Sequence, residues 1–418
     1  MTSQPILPAG HVYLIGAGIV GREILRAHTD AGVSAWIIDQ SADAVQRAVD
    51  SLQLADQQWQ VGQPMPLPDN SVAVCLQHCD DREPRECTIV IESIVERLDV
   101  KQAFFTAAQS WFGSDAILCS NTSNLRISEI AESITDPHRF AGMHFFMPVD
   151  RRPATEVVRG EQTAEATIEA CCRHAQRIHK PSLIVADGPG FIVNRLLSPY
   201  LNEALLLLCR GVSGEQIERA ALAYGMPMSP LELIDYIGTR TMFDAGRAFW
   251  QAFPDRLSPS PMLAGLIKRK RLGRNSGLGL YDYRDGKRSS HLADETIELS
   301  KRYSRHEQSF DEEEVVELLS IPMWIEAALA RRDGITDQQE HFNLAMRGGL
   351  GYASNANWLD FFDTWGSERI IAATQKWSPI SASMLAPHKL TAALRNAIPS
   401  QAMQHFADGS AIESSSEC

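Results

Sequence analysis

The stretch that decides the fold is Val12-Tyr13-Leu14-Ile15-Gly16-Ala17-Gly18-Ile19-Val20-Gly21, a β-branched and apolar run that breaks on glycine and then resumes with helical spacing. A first glycine permits a tight turn, a second lets backbone approach a bound group, and a third lets a helix pack closely on a strand. The opening turn of such a helix offers free N–H groups and a partial positive charge, which suits a pyrophosphate. The loop residues Gly16, Ala17, Gly18, Ile19, Val20 and Gly21 are therefore candidates for dinucleotide binding. Asp39 ends the next apolar run, 18 residues after Gly21. A carboxylate there accepts from both ribose hydroxyls and repels a 2′-phosphate, so NAD is expected rather than NADP.

Outward from this motif, residues 1–190 alternate short apolar runs with helical patterns, the signal of βαβ units and a parallel sheet. Strands are expected at 11–15, 34–39, 88–92, 116–120 and 140–144, and helices at 19–31 and 95–111. Residues 55–87, with four prolines, read as loop plus one short strand at 72–76. After Gly188-Pro189-Gly190 the pattern turns helical, beginning with a very apolar helix at 191–210 that stops at Gly211. At an offset of 123, Pro199, Glu203, Ala204, Leu206 and Gly211 fall on Pro322, Glu326, Ala327, Leu329 and Gly334. After a five-residue insertion, Asp235 and Gly238 fall on Asp363 and Gly366. The expected architecture is an α/β Rossmann-type dinucleotide-binding domain (1–187) followed by two related all-α domains (188–290 and 310–405). A polar linker is expected at 282–310 and a disordered tail at 406–418.

Composition narrows the function classes. The 418 residues are 44% hydrophobic and 22% charged, and 39 basic residues against 52 acidic ones leave a net charge of −13. Fibrous and largely disordered classes are excluded, and a nucleic-acid partner is not expected without a basic excess. No apolar run is long enough for a membrane span, and residues 1–10 lack the pattern of a secretory signal. The eight cysteines show no zinc spacing, so free thiols, a cytoplasmic location and no metal are expected.

Three further clusters carry chemistry. If residues 140–145 and 154–159 form neighbouring antiparallel strands, His144 and Glu156 can face one another. A carboxylate on one imidazole nitrogen fixes the tautomer and raises basicity, which suits a general base. A lone histidine on an apolar strand is more often structural, and it is the upstream dinucleotide motif that favours the base here. Ser120 ends an expected strand at the carboxyl edge of the sheet, and reads either as a helix cap or as a site residue. Asn194 lies just beyond Gly188-Pro189-Gly190-Phe191, and reads either as a surface residue or as an amide directed at a ligand.

Taken together, these segments resemble the L-3-hydroxyacyl-CoA dehydrogenase family. The resemblance runs through VYLIGAGIVG, IDQ at 38–40, VIESIVERLDVK at 90–101, SNTS at 120–123, GMHFFMPV at 142–149, DGPGFIVNR at 187–195, YGMPMSPLELIDYIG at 224–238 and LGRNSGLGLYDY at 272–283. The repeated helical part extends it to the dehydrogenase half of multifunctional fatty-acid oxidation proteins, without their hydratase/isomerase region. The resemblance implies NAD-dependent oxidation of an (S)-3-hydroxyacyl-CoA to the 3-ketoacyl-CoA. It makes His144 the base, Glu156 its orienting partner, and Ser120 and Asn194 the residues on the substrate's 3-oxygen. It also places Asp39, Gln40, Glu96, Lys101 and Ser120 at the cofactor.

Departures from the family pattern temper that expectation. Met147 stands where the family has Asn in HFFNP, Asn275 where it often has Lys, and Ser229 where it has Gly. Residues 41–87 are shorter than the family's helical hairpin and carry Arg47, Arg82 and Arg85 but no Lys, which weakens the case for CoA. Lys268-Arg269-Lys270-Arg271 with Arg274 reads as a substitute cation source or as a solvated helix end. Two alternatives stay open: a non-CoA 3-hydroxy acid as substrate, and a non-catalytic NAD-binding partner subunit. In the second helical copy Glu317 replaces Asn194 and the glycine-rich approach is missing, so that copy is expected to be degenerate and to stand in for a partner subunit within a monomer.

Overall fold

A computed structural model describes residues 7–54, 58–81, 87–304, 307–353 and 357–385. Arg82, Arg85 and the expected tail lie outside them, as does the end of the expected second helical domain. The chain divides into two compact units, residues 1–191 and 192–418.

The first unit is built on β1 (Val12–Ile15), α1 (Ile19–Asp30), β2 (Ala35–Asp39), α2 (Ala42–Asp50), β3 (Trp59–Val61), β4 (Met65–Pro66), β5 (Val72–His78), β6 (Ile89–Glu92), α3 (Leu98–Ala108), β7 (Ile117–Ser120), α4 (Ile127–Ala131), β8 (Phe140–Phe145), β9 (Thr155–Arg159), α5 (Glu165–Arg177) and β10 (Ser182–Ala186). One sheet runs in the order β10-β9-β8-β7-β6-β1-β2-β5-β3, with β4 also on β5. The strands β2, β1, β6, β7 and β8 are mutually parallel. Of these, β1, β6, β7 and β8 are buried along their whole length, as near-continuous apolar runs require of a sheet covered on both faces.

The sheet is mixed, not wholly parallel, and the difference lies at both margins. β9 is antiparallel to β8, because residues 146–154 return the chain directly without a crossover helix. At the other margin β5 is antiparallel to both β2 and β3. The loop-rich reading of residues 55–87 thus gives way to two more strands and a longer β5. They follow α2, whose Val45 and Ala48 pack inward and whose first turn is capped by Ser41 Oγ.

The second unit contains α6 (Val193–Cys209), α7 (Gly214–Tyr224), α8 (Pro230–Ile237), α9 (Thr239–Ala252), α10 (Met262–Lys268), a small hairpin of β11 (Tyr283–Arg284) and β12 (Lys287–Arg288), α11 (Asp294–Arg302), α12 (Glu312–Arg332), α13 (Gln339–Leu344) and α14 (Trp358–Trp377). The internal repeat is visible in the backbone. Both α6 and α12 carry an internal proline, Pro199 and Pro322, and both stop at a left-handed glycine, Gly211 (φ +92°) and Gly334 (φ +78°). Gly238 (φ +97°) separates α8 from α9, and Gly366 (φ +73°) kinks α14 at the matching place. The expected linker at 282–310 is a correction: it holds the hairpin and α11, whose Thr296 and Leu299 are buried.

Candidate active site

In the first unit the chemistry-bearing side chains gather at the carboxyl ends of β1, β6, β7 and β8. Register puts Ile15, Glu92, Ser120 and Gly142 in one row across neighbouring strands. His144 follows Gly142 by two residues and so shares its face. On β9, Glu156 sits directly opposite His144.

The imidazole Nδ1 of His144 lies 2.6 Å from Oε2 of Glu156, whose side chain is fully buried. A carboxylate only accepts, so Nδ1 carries the proton and Nε2 presents a lone pair. Among the described residues Nε2 makes no hydrogen bond to protein. The rings of Phe146 and Phe191 pack beside it, with centroids 5.1 and 6.1 Å away. The imidazole is held in one tautomer against an apolar wall.

The glycine-rich loop fits a pyrophosphate for reasons visible at each glycine. Gly16 adopts φ +98°, and a Cβ there would meet the Ser93 carbonyl oxygen at 2.7 Å. At Gly21 a Cβ would lie 1.8 Å from the Gly16 carbonyl oxygen, so only glycine lets α1 come this close to β1. Gly18 is different, since a Cβ there would meet nothing within 4 Å. Protein packing gives no reason for a glycine at that position, whereas a ligand lying on the loop does. No side chain caps α1 and no acidic residue occupies its first turn, which leaves its N–H groups for phosphate oxygens. Ala17 is buried, Val20 half-buried and Ile19 exposed. Asp39 Oδ2 accepts from Ala17 N at 2.7 Å and Oδ1 accepts from Ser41 N at 2.8 Å, fixing the carboxylate beside the loop. Gln40 is exposed next to it.

Ser120, Glu96 and Lys101 meet through a residue that the sequence reading passed over. Glu92, fully buried, accepts from Lys101 Nζ (2.6 Å) and Ile94 N (2.7 Å) at Oε1 and from Ser120 Oγ (2.6 Å) at Oε2. Lys101 is also fully buried, with its ammonium 3.4 Å from Glu96 Oε2 as well. Burial opposes ionisation of Glu96. Lys101 and the hydrogen bonds from Thr122, Ser123 and Asn124 outweigh that burial and hold the carboxyl below its ordinary range. The signal for Glu92 was present as an acidic residue closing an apolar strand, VIE, where an unpaired charge could not be tolerated.

Asn194 belongs to the other unit, on the first turn of α6, half-buried, with its carbonyl accepting from Ser198 Oγ. Its counterpart Glu317 is tied down by Trp377 Nε1 (2.9 Å) and Arg369. Of the five residues expected as a cation source, Arg269 and Arg271 are paired, while Lys268, Lys270 and Arg274 are exposed. Arg271 is buried against Asp282, Glu295 and two carbonyl oxygens, and Arg269 pairs with Glu298. Among the described residues no helix is long and apolar enough to cross a membrane.

Comparison with known proteins agrees with this geometry. Residues 11–188 match the family profile described as 3-hydroxyacyl-CoA dehydrogenase, NAD binding domain, and residues 190–283 match the C-terminal domain of the same family. The fatty acid oxidation complex subunit alpha of Psychrobacter arcticus is 34% identical over 312 residues, 73% of this chain and 43% of that protein. The chain thus spans less than half the length of the curated relatives it matches. Among solved structures, a 3-hydroxybutyryl-CoA dehydrogenase from Escherichia coli K12 shares the fold (TM-score 0.70, 23% identity, 96% of this chain and 98% of that one). The (S)-3-hydroxybutyryl-CoA dehydrogenase of Ralstonia eutropha is 28% identical (TM-score 0.56) and is covered completely by 66% of this chain. With its NAD-binding domain in residues 11–188 and the family's helical domain directly after it, the chain belongs to the 3-hydroxyacyl-CoA dehydrogenase family.

Proposed function

We propose that the chain oxidises an (S)-3-hydroxyacyl-CoA to the 3-ketoacyl-CoA with NAD⁺. The observation that carries this reading is the His144–Glu156 pair, a base with an open Nε2, at the same carboxyl edge of the sheet as a glycine loop shaped for a dinucleotide. Bound NAD⁺ supplies the acceptor for the hydride leaving C3. The chain's own residues manage the proton and the charge. His144 Nε2 removes the 3-hydroxyl proton as the C3–H bond breaks, and Glu156 stabilises the imidazolium that results. Asp39 selects NAD over NADP, and Gln40 flanks the adenosine ribose. Glu96 and Lys101 shape the floor on the nicotinamide side. Asn194 supplies an amide donor to the substrate's 3-oxygen.

We further propose that the second helical copy is non-catalytic and takes the place of a partner subunit. Glu317, held by Trp377 and Arg369, supports that reading. A monomer follows from it, and the free thiols of the described cysteines support a cytoplasmic location.

A specific observation favours a second substrate class, a free 3-hydroxy acid. The segment between residues 41 and 87 has no lysine, and Arg271 is buried in ion pairs with Asp282 and Glu295. The test is NADH oxidation with acetoacetyl-CoA against free acetoacetate, in the wild type and in His144→Ala. The expected result is a strong preference for the thioester. His144→Ala should lose about 10²–10⁴ in kcat with NADH affinity within twofold. Equal rates on both substrates would overturn the CoA assignment, and unaltered turnover in the variant would overturn the base.

A further inference from the structure

Asn194 stands on the first turn of α6, and that turn lacks the usual local anchors. Its N-cap is Ile192, whose side chain cannot accept a hydrogen bond, and no acidic residue follows in the first turn. Arg195 stands there instead, a cation at the helix end that favours anions. Its side chain is nonetheless fully buried. A charge in that setting is tolerated only when it is paired.

The pairing comes from the second helical copy. Glu326, in the middle of α12, accepts from Arg195 Nε at 2.7 Å, and Asp333, at the C-cap of α12, accepts from Arg195 Nη2 at 2.8 Å. Arg256 holds the same two oxygens, Glu326 Oε1 at 3.1 Å and Asp333 Oδ2 at 2.7 Å, so the carboxylates are themselves fixed. Both guanidinium groups lie over the ring of Phe253, at 4.6 and 4.1 Å from its centre. Two positive and two negative charges close a neutral cluster.

The internal repeat shows that helix packing alone does not require this cluster. At the offset of 123, Glu203 falls on Glu326, but Asn194 falls on Glu317 and Arg195 on Leu318. Leu318 is buried, and Glu203 is met by Ser381 and Arg210 instead. The equivalent place thus packs with leucine. The arginine occurs only in the copy that carries Asn194.

We propose that Glu326 and Asp333 are positioning residues for the reaction: through Arg195 they set the first turn of α6, and with it the amide of Asn194 that donates to the substrate's 3-oxygen. The second copy, non-catalytic itself, thereby completes the site of the first. This assignment rests on the dehydrogenase reading above.

The test measures kcat and KM for acetoacetyl-CoA, and NADH affinity, in the full chain. Glu326→Gln keeps the side chain's shape and removes its charge. It should lower kcat by about 10–10², the cost of a donor displaced from the developing oxyanion, with KM and NADH affinity within about twofold. Asn194→Ala should lower kcat by about 10² or more. Adding Glu326→Gln to Asn194→Ala should change kcat by no more than about a further twofold, because Glu326 acts through an amide already gone. Glu203→Gln, the equivalent change in the other copy, should leave kcat within about twofold whatever it does to the thermal midpoint. Should Glu326→Gln fail to fold, Asp333→Asn, which leaves Glu326 between the two arginines, takes its place in the same cycle. Losses that multiply in the double variant, an equal loss of kcat in Glu203→Gln, or an unchanged kcat in Glu326→Gln would each overturn the proposal. The dehydrogenase reading is judged apart from it, by the turnover of His144→Ala.

Discussion

At the scale of single residues, buried charge is what distinguishes this chain. Asp235 illustrates the point outside the site. It is buried on α8 and accepts from Leu280 N (2.6 Å), Tyr281 N (2.9 Å) and Tyr283 Oη (3.1 Å), fastening the segment after Gly279 to the helix. Burial pushes its carboxyl up to about 6 from 3.8, against the pull of those three donors and of Arg271. A folded-state value above the unfolded one means extra stability that is complete below pH 4 and lost as pH rises through about 6. A shift of this size is worth roughly 3 kcal/mol. The stability advantage of wild type over Asp235→Asn, followed by denaturant unfolding, should therefore shrink by up to that amount between pH 4 and pH 7. A gap that is flat or widens would show that the three donors, not burial, set the titration. Among candidate site residues, the sequence made His144, Glu156 and Ser120 visible because their residue types stand out on apolar strands. The orientation of Ser120 was not visible, because it depends on Glu92, a contact between strands 28 residues apart in sequence.

At the scale of elements, the motif Gly16–Gly21 separates structural from ligand-directed glycine. Gly21→Ala drives a Cβ into the Gly16 carbonyl oxygen, which must move if the helix is to stay. A cost of roughly 2 kcal/mol or more is expected, lowering the thermal midpoint by about 2–4 °C per kcal/mol for a unit of this size. Gly18→Ala meets open space, so its midpoint should match wild type while NADH affinity falls by about tenfold or more, measured by fluorescence titration. A Gly18→Ala chain that binds NADH normally would remove the loop from the cofactor site. The parallel centre of the sheet was legible because its strands alternate with helices and are apolar throughout. The margins were not. β3 and β4 are two or three residues long and partly exposed, so periodicity carries little there, and among the described residues they pair only with β5, which itself takes the open edge of β2. The linker reading failed for a related reason: α11 rests on two inward residues, too few to stand out in a charged stretch.

At the scale of the whole molecule, the repeat in the helical unit has an energetic signature. Glu203 on α6 and Glu326 on α12 are equivalent positions, and each reaches across to the other copy. Glu203 accepts from Ser381 Oγ at 2.7 Å and lies beside Arg210. Glu326 takes Arg195 at 2.5 Å and Arg256 at 3.1 Å, with Asp333 completing the cluster on both arginines. Reciprocal contacts of equivalent residues are what a twofold subunit interface produces, here joined within one chain. Burial pushes the carboxyls of both Glu203 and Glu326 up, opposed at Glu203 by Arg210 of its own copy and Ser381 of the other, and at Glu326 by Arg195 and Arg256 of the other. Removing the carboxylate in Glu326→Ala leaves the buried Arg195 guanidinium with Asp333 alone and should cost about 1.5–3 kcal/mol. Because the contact is internal, the loss should be independent of protein concentration, unlike that of a dimer-interface variant, which mass action rescues. Wild type should accordingly scatter as a single 46.3 kDa species across a hundredfold dilution. A mass near twice that value, or a midpoint for Glu326→Ala that climbs with concentration, would mean that the second copy has not replaced a partner and that the apolar faces of α6 and α12 still serve two chains.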